Sequence, residues 1–140
     1  MNLRDRVLQR FSDFVYRHSY VDSFVDSYLA TQIKVLREQR GLTQTALAGL
    51  AKMKQSQISR LEDVNNSSWN VGTLKKIARA LDLVLVVRFE SFGKILPDVE
   101  GFGRSALERV SFDNDAVFSV AVEAYGDDRE PPTCVKSSIA

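Results

Sequence analysis

Residues 42–62 read LTQTALAGLAKMKQSQISRLE and carry the signals of two short helices joined by a tight turn. Thr43 is suited to cap a helix from Gln44 to about Ala51, because a threonine hydroxyl can accept a hydrogen bond from an early amide of the helix. After a break at residues 52–53, a second helix is predicted from Gln55 to Leu61. Its apolar positions lie three residues apart and leave the remaining side chains, mostly polar, outside.

The sequence on both sides of this pair also has helical spacing. Apolar residues recur every three to four positions across residues 11–40, which predicts one long helix or two in sequence. Gly41 ends this region, because glycine adopts the left-handed conformation of a C-terminal cap at little cost. Downstream, an Asn- and Ser-rich loop at residues 63–69 precedes another helix, which Asn70 caps and which runs through Leu81.

Residues 33–81 together resemble the helix-turn-helix domain of the Cro/CI (XRE) family. The resemblance depends on Thr43-Gln44, Leu47-Ala48, Gln55-Ser56 and Ile58-Ser59-Arg60-Leu61-Glu62. It implies a mainly α fold with a five-helix lambda-repressor-like DNA-binding domain. Ala48 suits the place where the backbones of two steeply crossing helices approach. Lys52 stands where the family commonly has glycine, so it must either adopt an unfavourable conformation or reshape the turn.

By this resemblance, the second short helix enters the major groove of DNA and nearby helix ends contact phosphates. Gln55 can form two hydrogen bonds with adenine and Arg60 can reach guanine, each worth about 1–3 kcal/mol of base discrimination. Gln44 and Asn70 lie at helix N-termini and would bind phosphate, which positions the domain without reading sequence. The predicted DNA-binding residues are Thr43, Gln44, Lys54, Gln55, Ser56, Gln57, Ser59, Arg60 and Asn70.

The chain is predicted to have four segments. They are an N-terminal helical extension at residues 1–30, the helix-turn-helix domain at 31–82, a strand-containing dimerisation segment at 83–125 and a disordered tail at 126–140. Strands are predicted in the β-branched run Leu83–Phe89 and in the alternating stretch Val117–Tyr125. The first strand can pair with a second copy, which resembles HipB-type antitoxins, or with the second strand of the same chain.

Aromatic residues leave further alternatives open. Trp69 can pack against the core or contact a DNA sugar or phosphate through its ring nitrogen, and the core is the favoured interpretation. Six N-terminal aromatic residues favour a core as well, with a second dimer surface or an effector pocket as the alternative. They are Phe11, Phe14, Tyr16, Tyr20, Phe24 and Tyr28.

Charge is unevenly distributed, although the net charge is only +1. Residues 33–79 contain nine Lys and Arg against three Asp and Glu, whereas residues 97–140 contain four against nine. A basic central region suits nucleic acid. A single cysteine, Cys134, excludes an internal disulfide, and the lone His18 has no partner at metal-ligand spacing. We therefore expect no cofactor, no metal and no enzymatic activity, and, without a signal peptide or membrane span, a cytoplasmic protein.

These features predict a sequence-specific regulator of transcription that binds double-stranded DNA, a repressor that binds an inverted-repeat operator as a homodimer. Two other functions remain open. The acidic tail would suit an antitoxin that neutralises a partner toxin and represses its own operon. The same helix pair also occurs in protein–protein adaptors that do not bind DNA.

Overall fold

The computed structural model describes the backbone of residues 1–125 and the side chains of residues 1–120. Eight α-helices lie in this range: α1 Leu3–Arg10, α2 Phe14–Gln39, α3 Gln44–Ala51, α4 Gln55–Leu61, α5 Val71–Ala80, α6 Leu96–Glu100, α7 Arg104–Leu107 and α8 Ala116–Tyr125. Short 3-10 turns occupy Phe92–Ile95 and Phe112–Asn114. The chain forms two compact units, which divide after Arg109. The mainly helical prediction is confirmed, and the predicted tail at 126–140 lies outside the described residues.

Polar N-cap side chains begin four helices of the first unit, α1, α2, α3 and α5. The Asp13 carboxylate accepts a hydrogen bond of 2.7 Å from the Tyr16 amide at the start of α2. The Thr43 hydroxyl accepts one of 3.1 Å from the Ala46 amide at the start of α3. Each bond satisfies an amide that has no partner within its own helix. The positions of Asp13 and Thr43 in the sequence therefore determine where α2 and α3 begin.

A single apolar core unites the C-terminal part of α2 with α3, α4 and α5. Its buried residues are Ile33, Leu36, Leu47, Ala48, Ala51, Ile58, Leu61, Leu74, Ile77 and Leu81. Four helices, rather than the predicted five, supply this core within the described residues. Helix α2 is continuous across residues 30 and 31, so the N-terminal extension and the helix-turn-helix region share one 26-residue helix.

Residues 92–109 return along α1 and α2. Leu107 is fully buried, and its carbonyl accepts a hydrogen bond of 3.2 Å from the Gln32 side chain. Arg104 donates to Glu38 at 2.7 Å. This hydrogen bond is the main reason that the pKa of Glu38 lies below its ordinary value. None of the helices among residues 1–125 is long and apolar enough to cross a membrane.

The predicted C-terminal β segment is not found among the described residues. Residues 83–89 form no strand within the described chain, which does not test their pairing with a second copy. Residues 117–125 belong to α8 instead of a strand. Three valines favoured a strand there, but Asp115 accepts a hydrogen bond of 3.0 Å from the Val117 amide and so begins a helix. The described residues of the chain contain no strand.

Candidate nucleic-acid interface

Helices α3 and α4 meet across a three-residue turn. Ala48 of α3 is buried, and its carbonyl accepts a hydrogen bond of 2.8 Å from the Met53 amide. Lys52 adopts the left-handed conformation with φ 55° and ψ 48°. That conformation costs a residue with a Cβ atom about 1–2 kcal/mol. The first sequence-based alternative for Lys52 is therefore confirmed: the turn keeps its geometry, and the lysine adopts the unfavourable conformation.

An ion pair holds the end of α4 against α2. Both side chains are largely buried, with 12% of Arg37 and 4% of Glu62 exposed. The guanidinium of Arg37 donates two hydrogen bonds to the two carboxylate oxygens of Glu62, the one from Nη2 at 3.0 Å. It also donates to the Leu42 carbonyl at 2.8 Å. The hydrogen bond to Glu62 is the main reason that the pKa of Arg37 is raised above its ordinary value.

The same carboxylate fixes the orientation of two glutamines. Gln44 Nε2 donates to Glu62 Oε2 at 3.0 Å, and Gln55 Nε2 donates to Gln44 Oε1 at 2.7 Å. Because a carboxylate can only accept, Gln44 must turn its nitrogen towards Glu62 and its oxygen towards Gln55. Gln55 must then present nitrogen to Gln44. The charge on Glu62 therefore sets the direction of an amide on the first turn of α4.

The remaining predicted residues of α4 lie on its exposed surface. Lys54, Ser56, Ser59 and Arg60 are exposed, whereas Ile58 and Leu61 face the core. Gln57 is exposed as well, but its Oε1 accepts a hydrogen bond of 2.8 Å from the Lys54 amide. This bond caps α4 at its own N-terminus, so the Gln57 oxygen already has a partner in the free protein. The apolar and polar faces of α4 are where the sequence predicted them.

Thr43 and Asn70 cap the helices that follow them. The Asn70 Oδ1 accepts a hydrogen bond of 3.2 Å from the Thr73 amide at the start of α5. The hydroxyl hydrogen of Thr43 and the amide hydrogens of Asn70 can still be donated to a phosphate, because each cap uses only an oxygen lone pair. The structure thus brings Gln44 and Gln55 into contact, whereas Thr43 and Asn70 stand at the N-termini of different helices.

Trp69 packs against the core, in agreement with the favoured sequence interpretation. Its ring N–H donates to Asp26 Oδ1 at 2.7 Å. Sequence reasoning missed this bond, as it missed the Arg37–Glu62 pair. The sequence did hold a signal for the Arg37–Glu62 pair. Glu62 follows directly on an amphipathic helix, and a carboxylate that becomes buried there requires a cation beside it. The Asp26–Trp69 bond joins residues 43 positions apart and had no comparable signal.

Comparisons with known proteins bear on the same part of the chain. Residues 29–88 match the sequence model of a family described as a helix-turn-helix domain. No significant match was found among curated proteins or among solved structures. The match contains α3, the turn at Lys52, α4 and α5. In sequence, residues 29–88 are therefore similar to helix-turn-helix domains.

Proposed function

We propose that this protein is a sequence-specific transcriptional repressor that binds double-stranded DNA with α4 in the major groove. The observation that carries the proposal is the pairing of Gln55 with Gln44 on the exposed N-terminal turn of α4. Gln55 is bonded to Gln44, which is bonded in turn to the buried carboxylate of Glu62. The side chain of Gln55 is therefore already oriented in the free protein. Pre-organisation of this kind reduces the entropy that binding must offset.

The exposed side chains of α4 match the chemistry of base edges. We assign Gln55 to adenine, because its amide nitrogen can donate to N7 and its oxygen can accept from the N6 amino group. We assign Arg60 to guanine, whose O6 and N7 accept from a guanidinium. Ser56 and Ser59 have short side chains that can hydrogen-bond to the edge of an A·T or a G·C base pair. Gln57 is the weakest base reader of the set, because its oxygen caps α4 and only its nitrogen can be donated.

Phosphate contacts would come from residues around α4. Lys54 directly precedes α4, and Thr43, Gln44 and Asn70 lie at or beside helix N-termini, where anions bind favourably. Gln44 has one amide hydrogen left for a phosphate once the other is donated to Glu62. These contacts fix the orientation of α4 in the groove without reading sequence.

We propose further that the protein acts as a homodimer through residues 83–89. Leu83 and Leu85 pack on the core, while Val84, Val86 and Phe89 are exposed. The backbone groups of residues 84–90 form no backbone hydrogen bonds with the described part of the chain. An extended edge with exposed β-branched residues can pair with a second copy of itself. The competing sequence hypothesis, a strand pair with residues 117–125, is excluded because those residues are helical.

Selection from a random pool of double-stranded DNA tests the proposal. Wild-type protein should enrich an inverted repeat with half-sites about 34 Å apart, one helical turn of DNA. The double variant Gln55→Ala, Arg60→Ala should lose this enrichment. The matched control Gln9→Ala, Arg6→Ala changes the same residue types at exposed positions of α1 and should keep it. Equal enrichment of the repeat by wild type and by the α4 variant would show that Gln55 and Arg60 do not read the DNA. No enrichment by wild type would favour an adaptor instead.

A further inference from the structure

Asp26 belongs to the part of α2 that precedes the family match, which begins at residue 29. Its carboxylate is half-buried and accepts the ring N–H of Trp69 at 2.7 Å. A hydrogen bond to an ionised acceptor is about twice as strong as one between neutral groups. The N-terminal extension is thus joined to the helix-turn-helix domain by one specific bond as well as by the continuous helix.

Trp69 lies near the end of the loop between α4 and α5, residues 63–70. The other hydrogen bonds of this loop are local: the Asn65 amide donates to Asp63 at 2.9 Å and the Ser68 amide to Asn66 at 3.2 Å. Among the described residues, the bond from Trp69 to Asp26 is the loop's one hydrogen bond to a distant part of the chain. Together with the packing of Trp69 on the core, this bond to Asp26 holds the loop against α2.

The residue after Trp69 is Asn70, the cap of α5 and one of the predicted phosphate contacts. The loop also exposes Asn65, Ser67 and Ser68, which are side chains that commonly bond to phosphate oxygens. Any of these contacts requires the loop to be held in place against the DNA backbone. An unheld loop would have to be ordered during binding, which weakens the complex.

We propose that Asp26 is a positioning residue for DNA binding. Through Trp69, it holds the loop 63–70 and the N-terminus of α5 in register with a phosphate of the DNA backbone. The residue itself does not touch DNA, and its own negative charge would repel it. This inference rests on the proposed function, since it names a further residue on which the same interface depends.

The test compares Asp26→Ala with Asp26→Asn. Asparagine keeps an oxygen that can accept the Trp69 N–H, whereas alanine removes it, and both variants remove the same charge. The matched control is Asp22→Ala, which removes a carboxylate from an exposed position one turn earlier on α2. Two quantities are measured: the emission of Trp69, the single tryptophan of the chain, and the dependence of DNA affinity on salt.

We expect Asp26→Ala to shift the Trp69 emission in the free protein. On DNA selected with wild type, its slope of log affinity against log salt should become shallower by about one phosphate contact, and it should bind about threefold to tenfold more weakly. Asp26→Asn should restore both values. Asp22→Ala should bind as well as wild type or slightly better. General loss of negative charge would strengthen binding, so weakening by Asp26→Ala cannot arise from charge alone.

Three results would overturn the inference. If Asp26→Ala shifts the emission but keeps the wild-type affinity and slope, the bond exists but does not serve DNA binding. If Asp26→Asn is as weak as Asp26→Ala, the acceptor is not what matters. If wild type selects no DNA, the proposed function fails as well, although the emission of the free protein still reports the bond. Should Asp26→Ala not fold, Trp69→Phe removes the same bond from the other side and should give the same shallower slope.

Discussion

The buried carboxylate of Glu62 is expected to control both stability and DNA specificity. In Glu62→Gln, the shape of the side chain is kept but the charge that faces the Arg37 guanidinium is lost. The new amide cannot accept at both former oxygen positions. Its nitrogen faces an Arg37 donor in either orientation, and in the Oε2 position it also faces the Gln44 nitrogen. The variant therefore leaves the largely buried Arg37 cation with only the more distant Glu38 carboxylate, at 3.9 Å, and places two donors opposite each other.

The size of the effect follows from the burial of the pair. Removing one partner of a buried ion pair costs about 3–5 kcal/mol. The lower end applies here, because 12% of Arg37 is exposed and its bond to the Leu42 carbonyl remains. A loss of about 3 kcal/mol lowers the midpoint of thermal unfolding by roughly 10 °C in a unit of this size. The double variant Arg37→Met, Glu62→Met removes both charges and should lie within about 1–2 kcal/mol of wild type.

Thermal and urea unfolding, followed by circular dichroism at the helix band, measure these differences. The most informative comparison is between Glu62→Gln and the double variant, because the single change should be more harmful than the removal of both partners. A Glu62→Gln protein that unfolds within about 0.5 kcal/mol of wild type, the range typical of surface changes, would refute the reasoning. The Arg37–Glu62 pair would then contribute no more to stability than an ion pair on the protein surface does.

Other residues give separate tests. Lys52→Gly should raise the free energy of unfolding by up to about 1 kcal/mol in urea titrations, because glycine accepts the left-handed conformation without strain, whereas Lys52→Ala should not. Because the pKa of Glu38 is lowered in the folded protein, its contribution to stability is present above the ordinary pKa of 4.5 and is lost as pH falls through the folded-state value. Glu38→Gln should therefore flatten this part of the profile of stability against pH. An unchanged profile would contradict the bond to Arg104. Val86→Pro should shift sedimentation from dimer to monomer without loss of helix, while Val86→Thr should not; a dimer that survives the proline would place the interface elsewhere.

The helix-turn-helix region was predictable from sequence because its signals are local. Thr43 and Asn70 cap helices, Gly41 ends one, and the spacing of Ile58 and Leu61 gives the inner face of α4. Each of these features acts within one turn of the backbone and depends little on the remainder of the fold. The starts of α3 and α5 were therefore found within one residue, and the face of α4 was assigned correctly.

Features that depend on distant residues were not predictable in this way. The bonds of Glu62 to Arg37 and of Trp69 to Asp26 join residues 25 and 43 positions apart. A buried carboxylate at the end of a helix indicates that some cation lies nearby, but no local pattern indicates which distant side chain it will meet. The prediction of a strand at residues 117–125 failed for a different reason. The valines favour a strand, but a strand needs a partner strand to bond with. The Asp115 cap starts a helix, which satisfies its backbone groups within itself.

The central claim, that α4 reads base edges in the major groove, is tested most directly with Gln55→Ala alone. DNA selected by this variant should keep the preferences of wild type at every position except one in each half-site, where the preference for one base pair should be relaxed by about 1–3 kcal/mol. A selected sequence identical to that of wild type, including this position, would show that Gln55 does not contact a base and would contradict the placement of α4 in the groove.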